Sequence, residues 1–342
     1  MAEIKKCIVW DLDNTLWDGV CLEGKVKIKK GVHDIIAEMD RRGILHSIAS
    51  RGDEELSLKI LKENKLTDFF LVPQINWLPK SQSILKISKE LELSLDAIAF
   101  IDDDEFEREQ ISYMLDDVLT IDAGRINEIS DWKEFNPVNI SKETKERRYF
   151  YQAEMKRKET RHSYKSREDF LLSCNLQLNI RQLLEEDIPR VLELMSRTHQ
   201  LNSTGIIING DELTNHLNNG QGKSEILVAE LTDKFGWYGV IGTAMIVKEK
   251  PVWKLKYLSI SCRVMGRGIE RAFLAYLVKY AFNDGFEIIE AEFRDTGRNR
   301  MMRVLYQMAG LINNNKPDIY GNSVYSADTN NLPQTPKWIK ML

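Results

Sequence analysis

A chain of 342 residues with 43% hydrophobic and 29% charged residues has the composition of a soluble globular protein, and its length calls for two domains rather than one core. Its formal net charge of -4 gives no sign of nucleic-acid binding, and no apolar run approaches the roughly 18 residues that span a bilayer, so neither nucleic acid nor membrane is expected as a partner. The four cysteines, Cys7, Cys21, Cys174 and Cys262, lack any CxxC spacing, which argues against zinc, against a disulfide framework and for a reducing, cytoplasmic setting. The opening MAEIKKCIVWDLDNT enters a strand almost at once, so no signal peptide is expected there.

Residues 4–122 alternate strand and helix. KKCIVWDL, ILHSIAS, FFLVP, AIAFID and VLTID are short apolar runs, and VHDIIAEMDRRG, DEELSLKILKENK and SQSILKISKELEL between them have helical patterning. This alternation predicts an α/β domain with a parallel sheet covered on both faces. Ligands of such sheets bind at the carboxyl ends of the strands.

Residues 123–172 form a predicted basic helical linker. SKETKERRYFYQAEMKRKETRHSYKSREDFL reads as a solvated connecting helix, as most charge runs do, or as a face turned toward a phosphorylated substrate or an acidic partner. A second domain is predicted over 173–342. LQLNIRQL is a strand, EEDIPRVLELMSRTHQL a helix with an acidic first turn, and SEILVAEL, WYGVIGTAMIVKE and VWKLKYLSISC are strands. GIERAFLAYLVKYAFNDG is a helix stopped by Gly285, followed by a strand, EIIEAEF, and a helix near MMRVLYQMAGL. Strands and helices of this order predict an α+β domain.

The first candidate site lies at the predicted strand ends. WDLDNTLWDG sets Asp11 and Asp13 where the first strand stops. A carboxylate there can attack phosphorus, and a second one two residues on can protonate the leaving oxygen and then activate water. Ser50 closes IASRG as a donor to phosphate oxygens, and Lys80 in WLPKSQ starts a helix, where ammonium and helix dipole both suit an anion. AFIDDDEFERE ends another strand with Asp102, Asp103 and Asp104, oxygen ligands of the kind that suit Mg2+.

In this order the four groups resemble the motifs of the haloacid dehalogenase (HAD) superfamily of phosphatases and phosphotransferases. The resemblance implies Asp11 as nucleophile and Asp13 as acid/base. It implies Mg2+ held by Asp11, the Asp13 carbonyl and Asp102 or Asp103. The short stretch LWDGVCLEGKVKIKKGV after Thr15 fits a flap and leaves no room for a cap domain, an arrangement that in this superfamily goes with an open site and large substrates.

The second candidate site is a glycine turn between strand and helix, KYLSISCRVMGRGIERAFLAYL, with Arg263, Gly266 and Gly268. Glycines there let backbone N–H groups approach an anion. The turn resembles the acyl-CoA signature of GNAT acyltransferases, and GRNRMMRVLYQMAGL resembles that fold's later Asn–Tyr–Gly pattern through Asn299, Tyr306 and Gly310. NNGQGKS, by contrast, lacks the first P-loop glycine, with Leu217 in its place, and precedes a strand, so it reads as a surface turn. Cys262 is expected to end the strand beside the glycine turn, where a thiol can serve as an acyl-carrying nucleophile. Cys21, on the flap, is its rival; Cys7 and Cys174 read as packing residues.

Taken whole, the chain resembles the FkbH-like proteins of polyketide biosynthesis, through KKCIVWDLDNTLWDGV, WLPKSQSI, FIDDDEFEREQI, RTHQLN and SCRVMGRGIE. It departs from them at His199, where Asn is expected, and at Cys21, where an aliphatic residue is expected. The resemblance implies a HAD-like phosphatase domain over 1–122 and a GNAT-like domain over 173–342. It also implies transfer of a glyceryl unit from D-1,3-bisphosphoglycerate to an acyl carrier protein, with loss of phosphate. On this reading Thr198, Gln200 and Asn202 line the acyl site, and the basic linker suits the carrier's acidic surface. Two alternatives stay open: a phosphatase whose second domain recruits a partner, and a CoA-dependent N-acetyltransferase.

Overall fold

The computed structural model describes residues 4–137, 140–219, 224–331 and 333–342. The chain divides into two compact units, Met1–Met155 and Lys156–Leu342.

The first unit runs β1 (Cys7–Trp10), the hairpin pair β2 (Trp17–Asp18) and β3 (Lys27–Ile28), α1 (Val32–Arg41), β4 (Leu45–Ser50), α2 (Glu54–Glu63), β5 (Gln74–Ile75), α3 (Lys80–Leu91), β6 (Ile98–Asp102), α4 (Glu105–Met114), β7 (Leu119–Asp122) and α5 (Lys142–Lys145). Its five-stranded sheet has the order β5-β4-β1-β6-β7, and every pairing is parallel. β1, β4 and β6 are buried from end to end, as strands covered on both faces must be. Alternation along β1 feeds two cores. Ile8 and Trp10 pack with Ile36, Met39 and Ile48, while Cys7 and Val9 pack with Ile84, Ile87 and Ile111. Asp53 caps α2 by accepting from Leu56 N, and Asp104 caps α4 by accepting from Phe106 N. The FFLVP run, expected as a strand, contributes only a single bridge from Phe70 to His46. Val72 takes a left-handed φ of 49°, which breaks extended geometry, and pairing resumes at β5.

The basic segment expected as one helix is three: α5, α6 (Arg147–Arg161) and α7 (Arg167–Cys174). The two compact units share it, because its residues pack on different cores. Arg148 is buried, forks onto both oxygens of Asp40 at 2.9 and 3.1 Å and lies 4.8 Å from the Phe69 ring. Tyr151 and Met155 pack against the same unit's core. Arg157 is likewise buried, with Nε and Nη2 at 2.7 and 2.9 Å from the Asp233 carboxylate. The segment is therefore more than a solvated connector, since two of its cations are internal struts.

The second unit continues with β8 (Leu176–Gln182), α8 (Ile188–Arg197), α9 (Gly210–Asn219), β9 (Ser224–Asp233), β10 (Gly236–Glu249), β11 (Val252–Ile260), α10 (Ile269–Asn283), β12 (Ile288–Arg294), α11 (Arg300–Met308), β13 (Ile312–Asn313), β14 (Asn322–Asp328) and β15 (Ile339–Met341). The sheet order is β13-β14-β12-β11-β10-β9-β8-β15. It is mixed: β11–β12 and β8–β15 are parallel and the other pairs antiparallel. Phe273, Leu277 and Val278 of α10 pack in one cluster with Trp253, Leu258, Ile260 and Ile289. β11 and β12 pair only from Val252/Ile288 to Leu255/Ala291. Beyond that, residues 201–203 lie between them. Ile260 N donates to Leu201 O, Ser203 N to Leu258 O and Arg294 N to Ser203 O, each at 2.9 Å.

The fold class is thus the one the sequence predicts: a Rossmann-like parallel α/β unit with a small flap and no large cap, followed by an α+β unit on a mixed sheet. Among the described residues no helix is long and apolar enough to cross a membrane. The NNGQGKS segment cannot be placed, because residues 220–223 lie outside those described.

Candidate functional site

Three parallel strands deliver the first site. β1 ends one residue before Asp11, β4 ends in Ser50 and β6 ends in Asp102. α3, beginning at Lys80, returns an ammonium between them. Lys80 Nζ lies 2.6 Å from Asp102 Oδ2 and 3.1 Å from Asp11 Oδ1. The side chains of Lys80 and Asp11 are each 7% exposed and that of Asp102 is 0% exposed. Ser50 hydrogen-bonds Asp11. Burial pushes the Asp11 carboxyl up to about 7; the Lys80 ammonium pulls it back, and the Asp102 charge adds to the rise. Burial also raises Asp102, against the opposing pull of Lys80. For Lys80 itself burial acts to lower the pKa, but the two carboxylates outweigh it and the group is raised.

The acidic triplet separates by role. Carboxylate oxygens of Asp11, Asp102 and Asp103 lie within 4.8 Å of one another. Asp103 exchanges hydrogen bonds with Thr15, whose hydroxyl lies 3.1 Å from Asp103 Oδ1 and 2.9 Å from its amide. Asp104 is instead the N-cap of α4. Lys80 pairs with Asp11 and Asp102, and the Asp103 carboxylate joins those two as a third hard oxygen donor. This donor set fits Mg2+, with Asp11, Asp102 and Asp103 as the side chains that would hold it.

Asp13 sits two residues on, beneath the flap. Its Oδ1 accepts from Trp17 Nε1 at 2.7 Å and from the Cys21 amide at 3.0 Å. The turn between is tight: Asn14 has φ 55° and exchanges hydrogen bonds with Gly19, while Leu12 O accepts from Thr15 and Leu16. Trp17 and Thr15 are the site residues that sequence reasoning missed. Their signal was present in DLDNTLW, with Thr15 two and Trp17 four residues beyond Asp13, but which partner each takes depends on the folded turn.

In the second unit, the predicted residues separate. Cys262 is exposed, but it does not end β11. It opens a single turn, Cys262–Val264, two residues past the strand, because Ser261 turns the chain and accepts from Arg263 N. Gly266 and Gly268 are left-handed, with φ 77° and 82°. A Cβ on Gly266 would come within 2.3 Å of the Arg167 guanidinium, which donates to the Gly266 carbonyl. Trp338 Nε1 donates to Arg267 O at 2.8 Å. Gly268 is the N-cap of α10, and the carboxylate of Glu270 accepts from the backbone of Gly268 and from its own amide. An acid of this chain thus occupies part of the anion-binding end of the helix, and burial raises its pKa.

Other residues expected around an acyl group face inward. Asn299 is fully buried and donates to Asn202 O and Arg294 O at 2.9 Å. Tyr306 is fully buried, with its hydroxyl directed to Glu292 O. Asn202 is buried; its amide donates to Thr198 O and Tyr257 Oη, and its Oδ1 accepts from Gly205 N. These three side chains tie residues 198–205 and the β12–α11 corner together. Thr198 is buried at the end of α8, while Gln200 is exposed. Cys7, Cys21 and Cys174 are buried thiols whose pKa burial raises.

No family model matches the chain, and no curated protein matches it. Among solved structures, the chain is similar to the N-terminal part of the Bacteroides fragilis protein BF1531, which contains a phosphatase domain and was crystallised with Mg. The identity is 24%, over 40% of this chain and 42% of that one, with a TM-score of 0.37. The chain therefore spans less than half of that structure's length. Similarity also extends to the ribosomal-protein-S18-alanine N-acetyltransferase of Escherichia coli (17% identity, 44% of this chain, 94% of that one, TM-score 0.34). The PaiA N-acetyltransferase of Thermoplasma acidophilum, solved with coenzyme A, matches at 14% identity over 44% of this chain and 98% of that one (TM-score 0.37).

Proposed function

We propose that the first unit is a Mg2+-dependent phosphoryl-transfer centre and that the chain uses it while loading a glyceryl unit from D-1,3-bisphosphoglycerate onto an acyl carrier protein. The observation that carries the first half is the buried Lys80 ammonium between Asp11 and Asp102, at strand ends that also gather Ser50 and Asp103. Asp11 attacks phosphorus, the bond to the leaving oxygen breaks, and Asp13 supplies that oxygen with a proton. Water then attacks the aspartyl-phosphate, gives its proton to Asp13 and releases phosphate. Mg2+, when bound, supplies charge neutralisation to the phosphoryl oxygens.

The second half rests on the whole-chain resemblance to FkbH-like proteins and on the exposed Cys262. A thiolate attacks C1 of the acyl phosphate, the C1–O bond breaks and phosphate departs with the electron pair. The thioester passes to the carrier thiol by exchange, and the C3 phosphoester is the substrate of Asp11. Glu270, accepting the Gly268 amide, favours a carrier-borne arm with its single phosphodiester over free CoA with its diphosphate and further phosphate.

A second reading has its own support. Residues 201–203 take up the edges of β11 and β12, so an extended arm has no open strand to pair with there. That favours a phosphatase whose second unit recruits a partner. Incubating the protein with holo carrier, Mg2+ and D-1,3-bisphosphoglycerate, then weighing the carrier intact, separates the two. A glyceryl adduct supports loading. Phosphate release with an unmodified carrier overturns loading and leaves the phosphatase reading.

A further inference from the structure

Asp13 presents its two carboxylate oxygens unequally. Trp17 Nε1 at 2.7 Å and the Cys21 amide at 3.0 Å both address Oδ1. Trp17 is fully buried within the core that also holds Leu12, Leu16 and Cys21, so its indole cannot swing away without opening that core. The Cys21 amide is a backbone group, and the buried Cys21 thiol hydrogen-bonds both Ser57 and the Asp13 carboxylate. Both donors are thus anchored by packing rather than by solvent-exposed contacts.

We propose that Trp17 is a positioning residue for proton transfer, holding Asp13 by Oδ1 so that Oδ2 delivers the proton to the leaving group. An oxygen with two N–H groups directed at it acts as an acceptor whether the carboxyl is ionised or neutral. The proton of the neutral acid therefore resides on Oδ2, and the clamp survives both halves of the reaction. Without the indole the Cys21 amide alone addresses Oδ1, the carboxyl is held less firmly, and the proton is carried on Oδ1 more often. The inference rests on the phosphoryl-transfer reading of Asp11 and Asp13, and it makes a demand that reading alone does not. A phosphoester leaves as an alkoxide, which needs the proton as the P–O bond breaks. An acyl phosphate leaves as a carboxylate, which does not.

The test compares the two leaving groups in single-turnover release with Mg2+ present, so that the hydrolysis step they share does not enter. Trp17→Phe should slow leaving-group release from 3-phosphoglycerate by roughly 10- to 100-fold, the worth of a hydrogen bond to a charged group. Release from acetyl phosphate should change by less than about 3-fold on the same grounds. Equal slowing of both, or slowing of neither, overturns the proposal. Replacing the Trp17 indole by benzothiophene removes the N–H at nearly constant shape and must give the same split even if Trp17→Phe folds poorly. An independent readout is the Trp17 indole N–H resonance, assigned by its loss in Trp17→Phe; it should move upfield in Asp13→Ala, and an unmoved resonance overturns the contact. An unaltered protein that releases phosphate from neither substrate defeats the phosphatase reading itself, and the proposal with it.

Discussion

The indole N–H of Trp10 donates to Nδ1 of His46 at 3.0 Å, while Nε2 of the same ring meets the carbonyl of Ile36 at 3.1 Å. This pairing fits only the neutral ring with its proton on Nε2, because a protonated Nδ1 would face another N–H. Burial lowers the His46 pKa from 6.5 to about 3, opposed by the Ile36 carbonyl and assisted by the Arg148 charge. The folded state therefore binds fewer protons than the unfolded one between these values. Stability should be unaffected by His46 above pH 6.5 and should fall as pH drops below it, by up to about 1.4 kcal/mol per pH unit. Urea unfolding at pH 8, 6 and 5 measures this. His46→Gln, which keeps an acceptor for Trp10, should lose less stability over that range; parallel curves would contradict the assignment.

Asp11→Asn should abolish phosphate release with the fold intact. The amide cannot form an aspartyl-phosphate, and loss of a nucleophile costs about three orders of magnitude or more. Chelation of Mg2+ should mimic it. Because burial holds Asp11 near 7 and proton and metal compete for the same carboxylate, Mg2+ affinity should rise with pH across that region. Titration calorimetry at pH 6, 7 and 8 checks this, and a flat affinity would count against Asp11 as a ligand.

Asp233 accepts the fork of Arg157, the Tyr238 hydroxyl at 2.9 Å and the amides of Phe235 and Gly236. Removing it takes the carboxylate away from a buried guanidinium. Asp233→Ala should destabilise the second unit by about 3–5 kcal/mol, and Arg157→Met combined with Asp233→Leu should cost less than Asp233→Ala alone. Denaturant melts of the three proteins decide the order.

Cys262 is exposed, whereas Cys7, Cys21 and Cys174 are buried with raised pKa values. A thiol-alkylating reagent should therefore label the native protein once, at Cys262, and reach the other three only on unfolding. If Cys262 carries the acyl group, donor without carrier should leave one hydroxylamine-sensitive adduct that Cys262→Ala lacks and Cys21→Ala retains. Carrier loading at the normal rate by Cys262→Ala would sink the relay in favour of direct transfer from the acyl phosphate.

Much of this molecule was legible before folding. Apolar runs ending in Asp11, Ser50 and Asp102 located one edge of a parallel sheet, because strand period and polar termini are written locally. A glycine turn at Gly266 and Gly268 ahead of a helix followed from the same kind of local pattern, while their left-handed φ is seen only in the folded chain. What sequence left open depended on distant partners. Asp103 faces Asp11 while Asp104 caps α4, though the two are chemically identical neighbours. Asn299 and Tyr306 match a binding pattern yet point inward, because residues 201–203 and Arg294 need the Asn299 amide and the Glu292 carbonyl meets the Tyr306 hydroxyl. Arg148 and Arg157 look like surface charge until Asp40 and Asp233 come within reach. Residue type limits the bonds a side chain can make; the partner that takes each bond is set by which chain segments are buried together, where an unpaired polar group is costly.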